Sequence, residues 1–132
     1  MIEIKRISPK FIENYSIVNL QFVSDKGICN LTDFEISDIC ISYRKNTKQI
    51  TEDIFYCFAK NEFRITVSDA MSVIKRPINC RIKLNIKWKR KDWDRFETTT
   101  LLIPFVPSEA AIQLYEKKHK KGGKRKWQLK TD

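Results

Sequence analysis

Short runs of Ile, Val, Phe, Tyr and Thr recur along the chain, each closed by turn-forming residues. "IEIKRI" and "YSIVNLQFV" come first, and "SDKG" then turns the chain into "ICNLTDFEISDICISY", where a strand centres on Ile39, Ile41 and Tyr43. "DIFYCFAKNEFRITV" holds two strand runs parted by a bend between Ala59 and Glu62. The clearest alternation is in "CRIKLNIKWKRKDWDRFE": Arg81, Lys83, Asn85, Lys87 and Lys89 share one parity, and Ile82, Leu84, Ile86 and Trp88 the other. Side chains on a strand point to opposite faces in turn, so this strand has an apolar face for the core and a face carrying four cations. "RFETTTLLIPF" is its return strand, with Asp92-Trp93-Asp94 at the hairpin tip and Trp93 well placed for exposure.

About seven strands at this spacing predict an all-β domain, an antiparallel immunoglobulin-like β-sandwich over residues 1–106. Two segments depart from strand. "SDAMSVIKRP" opens on the capping types Ser68 and Asp69, lacks alternation and stops at Pro77, which predicts one short helical turn crossing between sheets. Ser108, with Glu109 following, caps a short C-terminal helix over residues 107–121, on which Ala111, Ile112, Tyr115 and His119 share a face and which Gly122-Gly123 stop. Residues 122–132 form a basic extended tail whose Lys126-Trp127-Gln128-Leu129-Lys130 alternates like a strand, a pattern suited to joining a neighbour's sheet edge.

Length and charge sharpen this picture. A chain of 132 residues fits one domain, and at this size about two-thirds of the unfolded surface can be buried without crosslinks. Cys29, Cys40, Cys57 and Cys80 are scattered with no C-x-x-C pair, so reduced, mostly buried thiols are expected in place of zinc ligands or a disulfide framework. The opening residues lack a signal-peptide core, and no apolar run approaches the about 18 residues of a membrane span. The net charge of +10 is concentrated: residues 117–132 hold eight Lys/Arg against Asp132, and residues 75–95 hold nine against Asp92 and Asp94. Each segment therefore carries +7, and subtracting both from the total leaves −4 for the remainder. Basic segments on a mildly acidic body point to directed contacts with an anionic partner.

Catalytic patterns are missing. His119 is the single histidine, in a lysine-rich stretch, and neither a Walker loop nor a dinucleotide-binding glycine pattern occurs. The acid pairs Glu52-Asp53 and Asp92/Asp94 fall at turns, where carboxylates are solvated or bonded to their own backbone. No enzyme activity, small-molecule substrate, cofactor, metal or membrane is therefore expected. A basic strand face beside Trp88, Trp93 and Phe96 does have the composition of single-strand nucleic-acid binders, though Trp88 falls on the core parity.

In their order these motifs resemble a set of small β-sandwich proteins of tailed bacteriophages, similar to the immunoglobulin-like N-terminal domain of baseplate proteins. Leu31-Thr32-Asp33 stands before "DICISYR", "ITVSDAMSVIK" occupies the middle segment, and "CRIKLNIKWKRKDWDRFETTTLLIPF" fits the final hairpin, with Trp88 and Thr98 or Thr99 at matching places. The Asp-Gly turn of that pattern is replaced by Asp92-Trp93-Asp94. The resemblance implies a non-enzymatic structural or adaptor part of a virion (baseplate, neck, tail or capsid-associated), made in the host cytoplasm. Its partners would be copies of itself or a larger virion protein. The alternative is a nucleic-acid-binding accessory protein using strand 81–89 and the tail 117–130. Under either reading the expected contacts are Arg81, Lys83, Lys87, Lys89, Trp93, Lys120, Lys121, Lys124, Arg125, Lys126, Trp127 and Leu129.

Overall fold

The computed structural model describes residues 1–51 and 54–123, with side chains through His119. Among these residues are the strands β1 (Glu3–Ser8), β2 (Ser16–Ser24), β3 (Gly27–Ile28), β4 (Phe34–Tyr43), β5 (Asn46–Gln49), β6 (Ile54–Cys57), β7 (Glu62–Val67), β8 (Cys80–Arg90) and β9 (Glu97–Phe105). The helices are α1 (Met71–Ile74) and α2 (Glu109–Gly123). Strands pair antiparallel in two sheets: β1-β2-β7-β6, with β3 beside the end of β2, and β5-β4-β8-β9. The chain is thus all-β with a short C-terminal helix.

Period-2 alternation places the core between the sheets. Val18, Leu20 and Phe22 of β2 and Phe63, Ile65 and Val67 of β7 point in from the first sheet, and Ile82, Leu84, Ile86 and Trp88 of β8 point in from the second. At one end the two layers meet through aromatic rings. Phe22 stacks on Phe34 with centroids 4.0 Å apart and lies 5.1 Å from Trp88 and 5.2 Å from Phe63. The Trp88 indole N–H is not left dry, because it donates to Thr99 Oγ1 at 2.8 Å on the neighbouring strand.

β4 keeps its pairing to β8 only by bulging. Ile36 faces Trp88 and Asp38 faces Lys87, so Ser37 is an extra residue. Were the strand to run on without the bulge, Asp38 would point into the core; with the bulge, Ile39 and Ile41 return to the apolar side. After β1 the chain changes sheets: Ile12 N donates to the Pro104 carbonyl at 2.8 Å, and Val106 N to the Ile12 carbonyl at 2.9 Å. Ile12 is fully buried and bridges Phe105 in parallel, so one short segment touches both layers.

The helical turn between sheets exists, but its caps are not those expected. Ser68 and Asp69 do not cap α1; Asn14, distant in sequence, accepts the Met71 N–H with its side chain and the Ala70 N–H with its carbonyl. Asp69 instead takes a left-handed backbone at φ 54, which turns the chain into the helix. Ser108 does cap α2, accepting from Ala111 N at 3.1 Å. That helix runs through Gly122 to Gly123, past the expected stop at residue 121, since glycine weakens a helix without forbidding it. The four thiols are free but half-exposed rather than buried. The reason for two of them is parity: Cys40 and Cys57 fall on the outward-facing positions of β4 and β6.

Trp88→Ala should lower the free energy of unfolding by about 3–5 kcal/mol in urea melts, because it empties the ring cluster. Thr99→Val, which strands the indole N–H, should cost about 1–3 kcal/mol in the same measurement.

Candidate functional site

The outer face of β8 does not carry one continuous row of free cations. At the tip end Lys89 is drawn into the hairpin: its ammonium donates to the Trp93 carbonyl at 2.8 Å and the Lys91 carbonyl at 3.3 Å, and pairs with Glu35 at 3.4 Å. Only 15% of its side chain is exposed. Lys89 is thus held in the hairpin tip, with little of its side chain at the surface. Trp93 corrects a second expectation. It is half-buried and turned inward, 5.5 Å from Trp88, since a ring at a tight tip gains more from the core edge than from water. Arg90 pairs with Asp92 at 3.1 Å.

Lys87 stands opposite Asp38 in register, and its ammonium lies 5.6 Å from the Phe96 ring centre, with Lys89 at 5.7 Å. Next along β8 comes a neutral belt. Asn85 donates to Ser42 Oγ at 3.1 Å and accepts from Thr100 Oγ1 at 2.8 Å, joining three strands. Beyond it Arg81 and Lys83 stand exposed, as Lys87 does on the near side; they lie opposite Pro104 and Leu102, with Ser42 beside Lys83 on the other strand.

These two cations belong to a larger group gathered by the fold. The β4–β5 turn brings Arg44 and Lys45 to this pole, and the end of α1 brings Lys75 and Arg76. Tyr43, Arg44, Asn46, Lys75, Arg76 and Ile78 line one recess there. Asn46 ties the turn to the helix by donating to the Val73 carbonyl at 2.8 Å. The Arg44 guanidinium lies 5.3 Å from the centre of the Tyr43 ring. Its field also reaches the start of β8: burial pushes the Cys80 thiol up, and Arg44 opposes that with a smaller pull downward. None of Arg44, Lys75, Arg76, Arg81 and Lys83 makes a carboxylate pair among the described residues.

The pole continues onto α2. Lys75 shares a second recess with Asn14, Asp69, Tyr115, Lys118 and His119. His119 is exposed and stacks on Tyr115 at 3.8 Å, with Nδ1 3.0 Å from the Tyr115 carbonyl. Lys120 and Lys121 lie in the last turns of α2. Lys124, Arg125, Lys126, Trp127 and Leu129 lie outside the described residues, as do Glu52 and Asp53.

Arg44, Lys45, Lys75 and Arg76 were not singled out from the sequence. The available signal was two cation doublets beside turns, "YRKN" and "VIKRP", which only tertiary structure brings together. Among the described residues no three His, Cys, Asp or Glu side chains are grouped so as to hold a metal ion, and no helix is long and apolar enough to cross a membrane. In comparisons with known proteins, no family model, curated protein or solved structure matches the chain.

At pH 8, iodoacetamide should modify Cys80 more slowly in the native protein than in urea, because a raised pKa lowers the thiolate fraction. Arg44→Ala removes the opposing charge and should slow the native reaction further, as read by mass spectrometry of the Cys80 peptide.

Proposed function

We propose that the chain is a non-enzymatic assembly module, an immunoglobulin-like β-sandwich that works by binding further copies of itself. The strand order supports the fold reading. With β1, β2, β4 to β9 taken as A, B, C, C′, D, E, F and G, the sheets read A-B-E-D and C′-C-F-G, the immunoglobulin arrangement with one added strand. Antibody domains join B to F by a disulfide; here Phe22 of β2 and Trp88 of β8 meet in its place.

The observation that carries the assembly reading is the outer face of the first sheet. Ile7, Ile17 and Phe55 lie on three different strands of that face and are 43%, 57% and 59% exposed. Exposed apolar side chains on neighbouring strands, rimmed by polar residues, are the kind of surface at which proteins meet. Glu3, Lys5, Glu62 and Arg64 share the outward parity, so both signs are present and the face can meet a copy of itself across a two-fold axis.

The setting we propose is a tailed-phage particle, in which the module repeats as a structural or adaptor part beside copies of itself or a larger virion protein. Its support is the resemblance of the Leu31-Thr32-Asp33 turn and the β8–β9 hairpin. Repetition makes a modest interface adequate, because each added copy brings further weak contacts to bear at once.

Sedimentation equilibrium should show reversible self-association that weakens at least tenfold in the double variant Ile17→Asp, Phe55→Asp, with an unchanged circular-dichroism melt. A wild-type chain that stays monomeric at high micromolar concentration would overturn the reading.

A further inference from the structure

We propose that the pole built from Arg44, Lys45, Lys75, Arg76, Arg81 and Lys83 binds the phosphate backbone of nucleic acid. Three chain segments, far apart in sequence, bring six cations to this end of the molecule. The recess lined by three of them, Arg44, Lys75 and Arg76, contains no carboxylate among its described residues, so the positive potential there is not relieved from within.

Backbone conformation adds an independent observation. Four residues other than glycine have positive φ: Arg44 at 55°, Asn61 at 53°, Asp69 at 54° and Lys75 at 74°. Asn and Asp tolerate this region, whereas Arg and Lys gain nothing from it. Arg44 is the first residue of a two-residue hairpin loop, and Lys75 is the left-handed cap of α1; glycine is the usual occupant of both positions. Both strained cations line the same recess. A long charged side chain held where glycine would be more stable is the mark of a side chain kept for contact. The dipole of α1 offers little alternative reason for Lys75, since the helix is a single turn.

Nucleic acid fits this pole better than an acidic protein does. Protein interfaces are anchored by exposed apolar or aromatic residues; within this recess Ile74 is buried while Tyr43 and Ile78 are half-buried, and the exposed Leu102, opposite Lys83, and Leu114, in the second recess, lie outside its lining. The charge also extends beyond a compact patch. Lys118 of α2 shares the second recess with Lys75. Cations spread over more than one recess suit a repeating anion. Binding is to phosphates and not to bases, so it is indifferent to sequence and strongly sensitive to salt.

Fluorescence anisotropy with a labelled 30-nucleotide single strand and its duplex, titrated with salt, tests this on the full chain. About four phosphate contacts on duplex DNA would give a slope of log K against log salt near −3.6. Arg44→Gly and Lys75→Gly together should weaken binding at least tenfold and flatten the slope, while the melting temperature stays level or rises because glycine suits both positions. Arg81→Gln with Lys83→Gln, on an exposed strand face, should weaken binding similarly and guards against a folding artefact. Wild-type affinity and slope in both double variants would overturn the proposal and assign any binding to the tail. Tighter binding to polyglutamate than to DNA at equal salt would overturn it in favour of an acidic protein.

Discussion

The contact between Phe22 and Trp88 is the one on which the two layers depend. Phe22 belongs to the first sheet and Trp88 to the second, and Phe34 and Phe63 complete the cluster from either side. Large flat rings bury much area while losing few rotamers, so they can fasten two sheets where no covalent link does. The consequences reach the surface. Because Trp88 is fixed inward, the parity of β8 is fixed, and Arg81, Lys83, Asn85 and Lys87 have to face outward. Trp93 then completes the cluster from the hairpin tip, and Lys89 holds the tip closed by binding its carbonyl.

Much of this architecture was legible in the alternation. The β8–β9 hairpin, the inward Trp88, the bend around Asn61 and the Ser108 cap all follow from local pattern, and the structure contains each of them. What was not legible depends on pairs distant in the chain. The Ser37 bulge left a trace, since the apolar parity of β4 shifts between Ile36 and Ile39, yet only pairing with β8 shows which residue is extra. Asn14 caps α1 from far away, and no reading of "SDAM" alone could supply it. The cationic surface was the least legible. Net charge located the basic segments, but a strand's charged face is read without its neighbours, and the neighbours Glu35 and Asp38 occupy one end of it.

The surface is consequently divided by chemistry. The outer face of the first sheet carries Ile7, Ile17 and Phe55 among polar residues and charges of both signs, the outer face of the second has a hydrogen-bonded neutral belt with local ion pairs, and the α1 pole is cationic. The face and the pole lie on different parts of the fold. On the proposed reading, association through the first sheet would leave the pole open, so one kind of contact would not displace the other.

The crossing at Ile12 has a mechanical meaning. The segment after β1 and the end of β9 run parallel there, joined by the Ile12 to Pro104 and Val106 to Ile12 hydrogen bonds. Tension that entered before β1 and left through α2 would pull these two stretches in opposite directions along their length. Both bonds, and the buried Ile12 side chain beneath them, would then bear the load together instead of opening one after another. A sandwich closed in this way resists stretching along the chain more than peeling from an edge, a useful property for a part repeated within a larger assembly.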